Sequence, residues 1–323
     1  MEVFFLKRKL QVIALLLALC LLLAGCGMSG PIIEDMDDQA VPLAQAPGSS
    51  SGGSGSYVVP PFASSQYHAD KAQGSSGAYI DIGSVSEGYV AVSATSSHRL
   101  KFQVKRDDCT YNYDISSDGK PSVFPLQSGN GSYTFRVMEN VSDNKYAQVY
   151  STSCNVTMVD QFQPFLRPSN YSNYSESSEC VRKASQLASG CSSELDVVKA
   201  IYDYVCGAIK YDTAKATSVS SGYLPDPDET LRTGKGICFD YASLAAAMLR
   251  SQGIPTKIIF GYVAPDNLYH AWNMFYTEES GWVTVSFEVS ADTWTRIDLT
   301  FSAGGASDKF IGDGTHYTDV YSY

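Results

Sequence analysis

The sequence predicts an α+β protein in which a small all-β sandwich precedes a segment of mixed helices and strands. In residues 78–159, short runs of alternating polar and apolar residues are separated by turn signals, as in an antiparallel sandwich. Residues 181–205 then place apolar side chains at helical spacing. From residue 238, an alanine-rich helical run is followed by strand-like runs that reach residue 301.

The first 25 residues have the pattern of a secretory signal. A basic start, Lys7-Arg8-Lys9, precedes an apolar run over residues 10–23, which is shorter than the roughly 20 residues that span a membrane. The run leads into Leu-Ala-Gly-Cys, which resembles the bacterial lipobox, where the signal is cut and the new N-terminal Cys26 is lipidated. An ordinary signal peptide with an incidental cysteine is the alternative. We expect an exported protein, lipid-anchored through Cys26 to the outer face of the bacterial cytoplasmic membrane.

The segment after the signal is rich in glycine and serine and predicts a flexible linker. The strand-like runs that follow predict an immunoglobulin-like sandwich. Cys109 and Cys154 each lie on the same face of their predicted strand as apolar residues. Two arrangements are therefore possible, a disulfide between them or two separate buried thiols. Cys180 and Cys206 form a second possible pair on the predicted helices.

The second half of the sequence alternates helical and strand-like patterns. Two short helices joined by a tight turn are predicted from Val181 to Val205, and a longer helix from Cys238 to Gly253. Strands are predicted over residues 254–263, 269–276, 282–288 and 294–301. For the last residues, a flexible tail and a final strand that completes the sheet are both open.

These patterns divide the chain into six segments. The segments are a signal peptide (1–25), a lipid-anchored linker (26–77), a β-sandwich domain (78–160), a connector (161–175), a mixed helix and strand domain (176–303) and a C-terminal tail (304–323).

The charge and the cysteine spacing exclude several kinds of partner. The sequence carries a net charge of −11, and removal of the signal takes away three basic residues and one acidic residue, which leaves −13. A surface this acidic argues against nucleic acid as a partner and against electrostatic attachment to anionic lipid. The lipid on Cys26 is therefore expected to hold the protein at the membrane. No Cys-x-x-Cys pair is present, and neither a zinc knuckle nor a thioredoxin-like site is predicted. The oligomeric state is left open.

Cys238 has the setting of a nucleophile. Gly234 and Gly236 precede it, alanine-rich helix formers follow, and Gly253 lies where a helix should end. At a helix N-terminus, the positive end of the dipole is expected to lower the pKa of the thiol. The free backbone N–H groups of the first turn can also hold an oxyanion.

Two further residues could complete a nucleophilic site. His270 begins an aromatic strand-like run, where a histidine on its own would be expected only to pack. Asp298 lies among apolar residues, where a carboxylate is unfavourable unless a strong partner such as an imidazolium receives it. Glu288 and Asp292 are rivals for the third position, although Glu288 fits a solvated strand face and Asp292 fits a turn.

Three motifs, in the order cysteine, histidine, aspartate, resemble the transglutaminase-like superfamily over about residues 176–303. The motifs are Gly236-x-Cys238-x-Asp240-Tyr241-Ala242, His270-Ala271-Trp272-Asn273 and Ile297-Asp298-x-Thr300. The resemblance implies a relative of the papain fold in which the nucleophile helix packs on an antiparallel sheet. It also implies that Cys238 is the nucleophile, His270 the general base and then acid, and Asp298 the residue that orients the imidazole. The family often has proline after the aspartate, whereas Leu299 follows here.

The role of each of four other aromatic residues has two possible interpretations. The resemblance places Tyr211 near an oxyanion-hole side chain, although an aromatic residue after a helix is commonly a core residue. Trp272, Trp282 and Trp294 could line a substrate cleft or serve as packing anchors.

A Cys/His/Asp site attacks an amide or ester carbonyl and forms a thioester that an acceptor resolves. Water as acceptor gives a peptidase or amidase, and a lysine amine gives a protein-crosslinking transglutaminase. We expect hydrolysis, acting on peptides, proteins or cell-wall peptides at the cell surface, with crosslinking as the nearer alternative. A surface-binding lipoprotein that uses the same fold without catalysis is the alternative from another class. No cofactor or metal is predicted, and the sequence contains no EF-hand loop for calcium.

Overall fold

The first half of the protein is built of strands and the second half mixes helices with strands. The computed structural model describes residues 56–263, 268–285 and 317–323. The strands are β1 (Gln73–Ser75), β2 (Ala78–Asp81), β3 (Tyr89–Ala94), β4 (Leu100–Arg106), β5 (Cys109–Ile115), β6 (Ser122–Pro125), β7 (Gly131–Ser142), β8 (Lys145–Val156), β9 (Lys210–Tyr211), β10 (Lys235–Gly236), β11 (Thr256–Val263), β12 (Leu268–Thr277), β13 (Gly281–Val285) and β14 (Tyr317–Ser322). The α-helices are α1 (Glu179–Ala188), α2 (Glu194–Ala208), α3 (Thr213–Ser218), α4 (Pro227–Thr233) and α5 (Cys238–Ser251).

Strands β1 to β8 form two antiparallel four-stranded sheets, in the orders β1-β2-β3-β6 and β5-β4-β7-β8. On β4, Leu100, Phe102 and Val104 are buried while the residues between them are partly exposed, which is the alternation of a strand with one face in a core. The ring of Phe102 lies 4.9 Å from that of Phe124 on β6, between centroids, so the two sheets meet face to face. The predicted all-β sandwich is confirmed.

The strand register separates the two sandwich cysteines. Cys109 pairs with Arg106 on β4, Arg106 with Tyr133 on β7, and Tyr133 with Cys154 on β8. Three strand spacings of about 4.8 Å place the two cysteines about 14 Å apart, beyond the roughly 7 Å that a disulfide spans between Cα atoms. All six cysteines within the described residues are free thiols.

Helix α5 packs on an antiparallel sheet of order β13-β12-β11-β14. The side chains from Asp240 to Ser251 are all buried, because α5 has neighbours on every side. Leu244 and Met248 belong to a core shared with α1 and α2, whereas Ala242 and Ala246 belong to a core shared with the sandwich, β11 and β12. The predicted helix on an antiparallel sheet is confirmed. No helix in the described part of the chain is long and apolar enough to span a membrane.

The last residues of the chain form an edge strand of this sheet. β14 pairs with β11 in antiparallel fashion, with Ser322 opposite Ile259. The backbones of Tyr323 and Ile258 exchange two hydrogen bonds of 2.6 and 2.8 Å. Of the two alternatives that the sequence left open, the structure therefore shows the final strand for Tyr317–Ser322.

Residues 56–72, within the segment predicted as a linker, contact the helical part of the protein. The backbone N–H of Tyr57 donates to the carbonyl of Cys191 at 2.8 Å, and its hydroxyl donates to the carbonyl of Gln252 at 2.7 Å. Pro60 occupies the space that a side chain at residue 253 would need, and Gly253 has a φ of +82°. This close approach and this backbone conformation both require glycine there.

Arg250 is a buried clamp at the end of α5. Its guanidinium donates to the carbonyls of Thr256 at 2.8 Å, Arg167 at 3.0 Å and Tyr323 at 3.2 Å. Burial lowers the pKa of Arg250 to about 10, so the group stays charged at neutral pH. Arg250 thus joins α5 to the connector, to β11 and to the C-terminus.

Substitution Arg250→Met is expected to reduce the free energy of unfolding by about 3 kcal/mol, because it leaves buried carbonyl groups without donors. Urea denaturation measures the change. The matched control is Arg182→Met, which removes an exposed arginine that pairs with Glu179 on α1 and should change stability by less than about 0.5 kcal/mol. Equal losses in the two variants would contradict the role of Arg250 as a clamp.

Candidate active site

Cys238 is the first residue of α5 and its side chain is partly exposed. Ile237 is extended, and the Asp240 carboxylate accepts the N–H of Ile237 at 2.8 Å, which closes the first turn of the helix. The backbone N–H groups of Ala271 and Phe239 hydrogen-bond to the sulfur, and the N–H of Cys238 itself lies close to it. The helix therefore begins where the sequence predicted, with polarised N–H groups around the thiol.

The pKa of the Cys238 thiol is raised above its ordinary value of 9.0. Burial is the largest cause, the backbone N–H groups oppose it, and the negative charge of Asp240 adds to it. The prediction of a lowered pKa at the helix N-terminus was wrong, because loss of hydration outweighs the helix dipole and the hydrogen bonds. The thiol needs a base before it can act as a nucleophile.

Strand β12, which carries His270, passes beside the Cys238 thiol. Its neighbour Ala271 is buried and donates its backbone N–H to the sulfur of Cys238. The imidazole of His270 is partly exposed and stacks near the indole of Trp272, with ring centroids 6.4 Å apart and an interplanar angle of 21°. The residue that follows His270 in the sequence therefore contacts the predicted nucleophile.

Asn273 holds β12 against α5. Its side-chain amide donates to the carbonyl of Ala242 on α5 at 3.0 Å and to that of Lys257 on β11 at 3.2 Å. Ala242 lies four residues after Cys238 on α5, and Asn273 lies three residues after His270 on β12. Asn273, the last residue of the histidine motif, therefore keeps His270 and Cys238 in register.

Tyr211 also lies at the site. It is the second residue of β9, which pairs in parallel with β10 so that Tyr211 is opposite Gly236. Burial raises the pKa of Tyr211, and the charges of Cys238 and Asp240 raise it further, which places the phenol close to both groups. Because the phenol stays protonated at neutral pH, it can donate a hydrogen bond beside the thiol.

Lys215 and Tyr223 are site residues that the sequence did not reveal. The Lys215 ammonium lies 2.7 Å from the fully buried Asp240 carboxylate and 2.6 Å from the Tyr223 hydroxyl. The Tyr223 hydroxyl donates to the other oxygen of Asp240. A Cβ at Gly236 would lie 2.6 Å from the Asp240 Cβ, so the motif glycine makes room for this carboxylate. Lys215 comes from the short polar helix α3, whose pattern carries no signal of a buried partner.

The tryptophans of the described residues are packing anchors. Trp272 is fully buried. Trp282 packs on Phe162 and Phe165, and the Lys257 ammonium lies 4.0 Å from its ring centroid. Trp294 lies outside the described residues, as do Asp298, Glu288, Asp292 and the predicted lipid site Cys26.

A cavity of about 260 Å³ lies at the start of α5. Phe239, which follows Cys238, and Tyr269, which precedes His270, both line it. Its other walls come from β5 of the sandwich, from the loop between α3 and α4, and from β11 and the C-terminus, and most of the side chains are aromatic. Within residues 56–263, 268–285 and 317–323, no group of three His, Cys, Asp or Glu side chains is arranged to hold a metal ion.

Comparison with known proteins assigns a family to part of the chain. Residues 182–287 match the model of the transglutaminase-like superfamily. The uncharacterized protein YebA of Bacillus subtilis (strain 168) is 30% identical over 112 residues, which are 28% of this chain and 14% of YebA. Kyphoscoliosis peptidase of Homo sapiens is 28% identical over 130 residues, which are 37% of this chain and 18% of that protein. The chain thus covers less than a fifth of the length of either relative.

One solved structure is also reported for comparison. A protein from Cytophaga hutchinsonii, described as a cysteine protease, aligns with a TM-score of 0.38 at 14% identity, over 73% of this chain and 79% of that one. The match to the family model includes both Cys238 and His270, and helix α5 packs on an antiparallel sheet. We conclude that this chain contains a domain of the transglutaminase-like superfamily.

Proposed function

We propose that this chain is an extracytoplasmic cysteine-nucleophile enzyme that hydrolyses amide bonds of peptides or proteins through a thioester on Cys238. The observation that carries the proposal is the surrounding of the Cys238 sulfur. Two backbone N–H groups of other residues hydrogen-bond to it, and one of them belongs to the residue next to His270. The similarity to kyphoscoliosis peptidase supports hydrolysis as the reaction class.

In the proposed mechanism, His270 removes the proton from the thiol as the sulfur attacks the substrate carbonyl. The negative charge moves to the carbonyl oxygen, where backbone N–H groups at the start of α5 and the Tyr211 hydroxyl stabilise it. Collapse of this intermediate breaks the C–N bond, and the imidazolium gives its proton to the departing amine. Water, deprotonated by His270, then attacks the thioester, and Cys238 leaves as the thiolate and regains its proton.

One part of the proposal concerns residues that lie outside the described structure. Asp298 remains the proposed partner that orients the imidazole of His270, with Glu288 and Asp292 as rivals. The acceptor is proposed to be water, because the partly exposed side chain of Cys238 is accessible to solvent. A lysine amine in place of water would make the protein a crosslinking transglutaminase, and the first experiment below distinguishes the two.

Substitution Cys238→Ala is expected to abolish turnover, by at least about a thousandfold, because no other group can form the thioester. Protein substrates incubated with the enzyme and a labelled amine are analysed by mass spectrometry for new termini and for amine incorporation. Cys154→Ala, which removes a partly exposed thiol of the sandwich, should retain full activity. Amine incorporation in place of new termini would replace hydrolysis by crosslinking, and turnover by Cys238→Ala would refute the nucleophile.

Substitution His270→Ala is expected to move alkylation of Cys238 to higher pH. Burial raises the pKa of the thiol, so without a base the thiolate forms only as the pH rises toward that raised value. With His270 present, the imidazole can accept the thiol proton as the sulfur attacks the reagent, so alkylation proceeds at lower pH. We expect the midpoint of iodoacetamide alkylation of Cys238 to increase by at least about two pH units. His98→Ala, an exposed histidine of the sandwich, should leave the profile unchanged, and an unchanged profile in His270→Ala would exclude the pair.

The proposed location is the outer face of the bacterial cytoplasmic membrane, with the lipid on Cys26 as anchor. The basic and apolar start of the sequence and the Leu-Ala-Gly-Cys motif support this proposal. Cell-wall peptides and surface proteins would then be accessible substrates.

In a bacterial host supplied with labelled palmitate, Cys26→Ser is expected to lose the label and to move from the membrane fraction to the soluble fraction, because the acylated thiol is absent. Cys20→Ser, a change within the predicted signal, should keep both the label and the membrane location. A Cys26→Ser protein that is still labelled would contradict anchoring at this residue.

A further inference from the structure

The aromatic cavity at the start of α5 has a carboxylate on the wall that the sandwich contributes. We propose that this cavity is a specificity subsite that binds a positively charged side chain of the peptide substrate, and that Asp114 on β5 selects the charge. The inference rests on the proposed function for the identity of the ligand as a peptide substrate. It also gives the sandwich a part in the site.

The aromatic side chains of the cavity hold one another in fixed orientations. The ring of Phe239 meets Tyr171 edge to face at 5.3 Å and Phe260 at 4.8 Å, between centroids. Tyr269 completes this wall and is 51% exposed, so that its ring is available to a ligand. Aromatic faces attract ammonium and guanidinium groups, and their apolar surface packs on the methylene chain of lysine or arginine.

Asp114 supplies the opposite charge. One of its carboxylate oxygens, Oδ1, lies 3.0 Å from the Lys101 ammonium. The other, Oδ2, faces Gly222, and a Cβ built on that glycine would be 3.6 Å away. The Asp114 side chain is 45% exposed, so its pair with Lys101 is a surface pair of low strength that a substrate cation can replace.

The remaining charged groups at the cavity favour a cation. Lys215 is held by Asp240, so this positive charge is already compensated. Burial and the bonded Asp240 carboxylate account for most of the rise in the pKa of the Tyr223 phenol. The negative charges of Asp226 and Glu229 raise it further, so they also act on that wall of the cavity. The volume of about 260 Å³ lies below the roughly 300–1,000 Å³ of small-molecule pockets, so it suits one side chain.

The test measures binding to the full-length Cys238→Ala protein, which separates recognition from chemistry. Two peptides are compared by calorimetry at low salt, identical except for lysine or its uncharged analogue norleucine at one position. The lysine peptide is expected to bind about tenfold more tightly, as a desolvated cation–π contact with a nearby carboxylate predicts. A second substitution, Asp114→Asn, should reduce this preference to less than about threefold.

Two further variants test whether the preference for the lysine peptide depends specifically on the charge of Asp114. Lys101→Met removes the competing cation and should increase the preference for the lysine peptide. Asp143→Asn makes the same charge change in the exposed turn between β7 and β8, at a φ of +46° that asparagine tolerates, and should leave the preference unchanged.

The outcomes separate this inference from the proposed function. Equal binding of the two peptides, or a preference that Asp114→Asn leaves intact, would overturn the subsite even if the wild-type enzyme cleaves peptides. A lysine preference that depends on Asp114 supports the subsite even if the wild-type protein turns over no substrate, which would refute the proposed function alone.

Discussion

The buried carboxylate of Asp240 is the interaction on which the candidate site depends. An isolated charge in that position would be strongly unfavourable, and it is tolerated because the Lys215 ammonium, the Tyr223 hydroxyl and the Ile237 N–H all meet it. Through these contacts one side chain starts helix α5 and holds the segment around α3 over that start. The position of the Cys238 thiol follows, since it is the first residue of the helix that Asp240 closes.

The sandwich and the transglutaminase-like domain pack against each other through a common hydrophobic core. The C-terminal residue Tyr323 packs on Tyr113 of the sandwich at 5.6 Å between ring centroids, and on Phe260 of β11 at the same distance. Ala242 and Ala246 present small side chains where α5 faces this layer, which permits close packing. A change in the sandwich can therefore act on the aromatic cavity through buried rings.

Local patterns predicted the elements that carry the chemistry, and long-range contacts account for what was missed. The helix that begins at Cys238 follows from flanking glycines and an alanine-rich run, all within 20 residues or so. The pairing of Ser322 with Ile259 joins residues far apart in sequence, so the sequence left the last strand open. Lys215 was missed because a lysine on a short polar helix normally faces solvent, and only the fold brings it to Asp240. The direction of the Cys238 pKa was wrong for the same reason, since burial is a property of the assembled structure.

The raised pKa of the Cys238 thiol suits the proposed location of the protein. A thiolate reacts with oxidants much faster than a thiol does, and an exported protein has no cytosolic reductants to restore it. A nucleophile that stays protonated until substrate arrives is protected, at the expense of requiring a base in the same step. His270 can supply that base only if β12 stays in register with α5, which is what the Asn273 amide secures from the opposite end of the motif. The structural residues Asn273 and Asp240 are thus as necessary to the proposed chemistry as the thiol and the imidazole themselves.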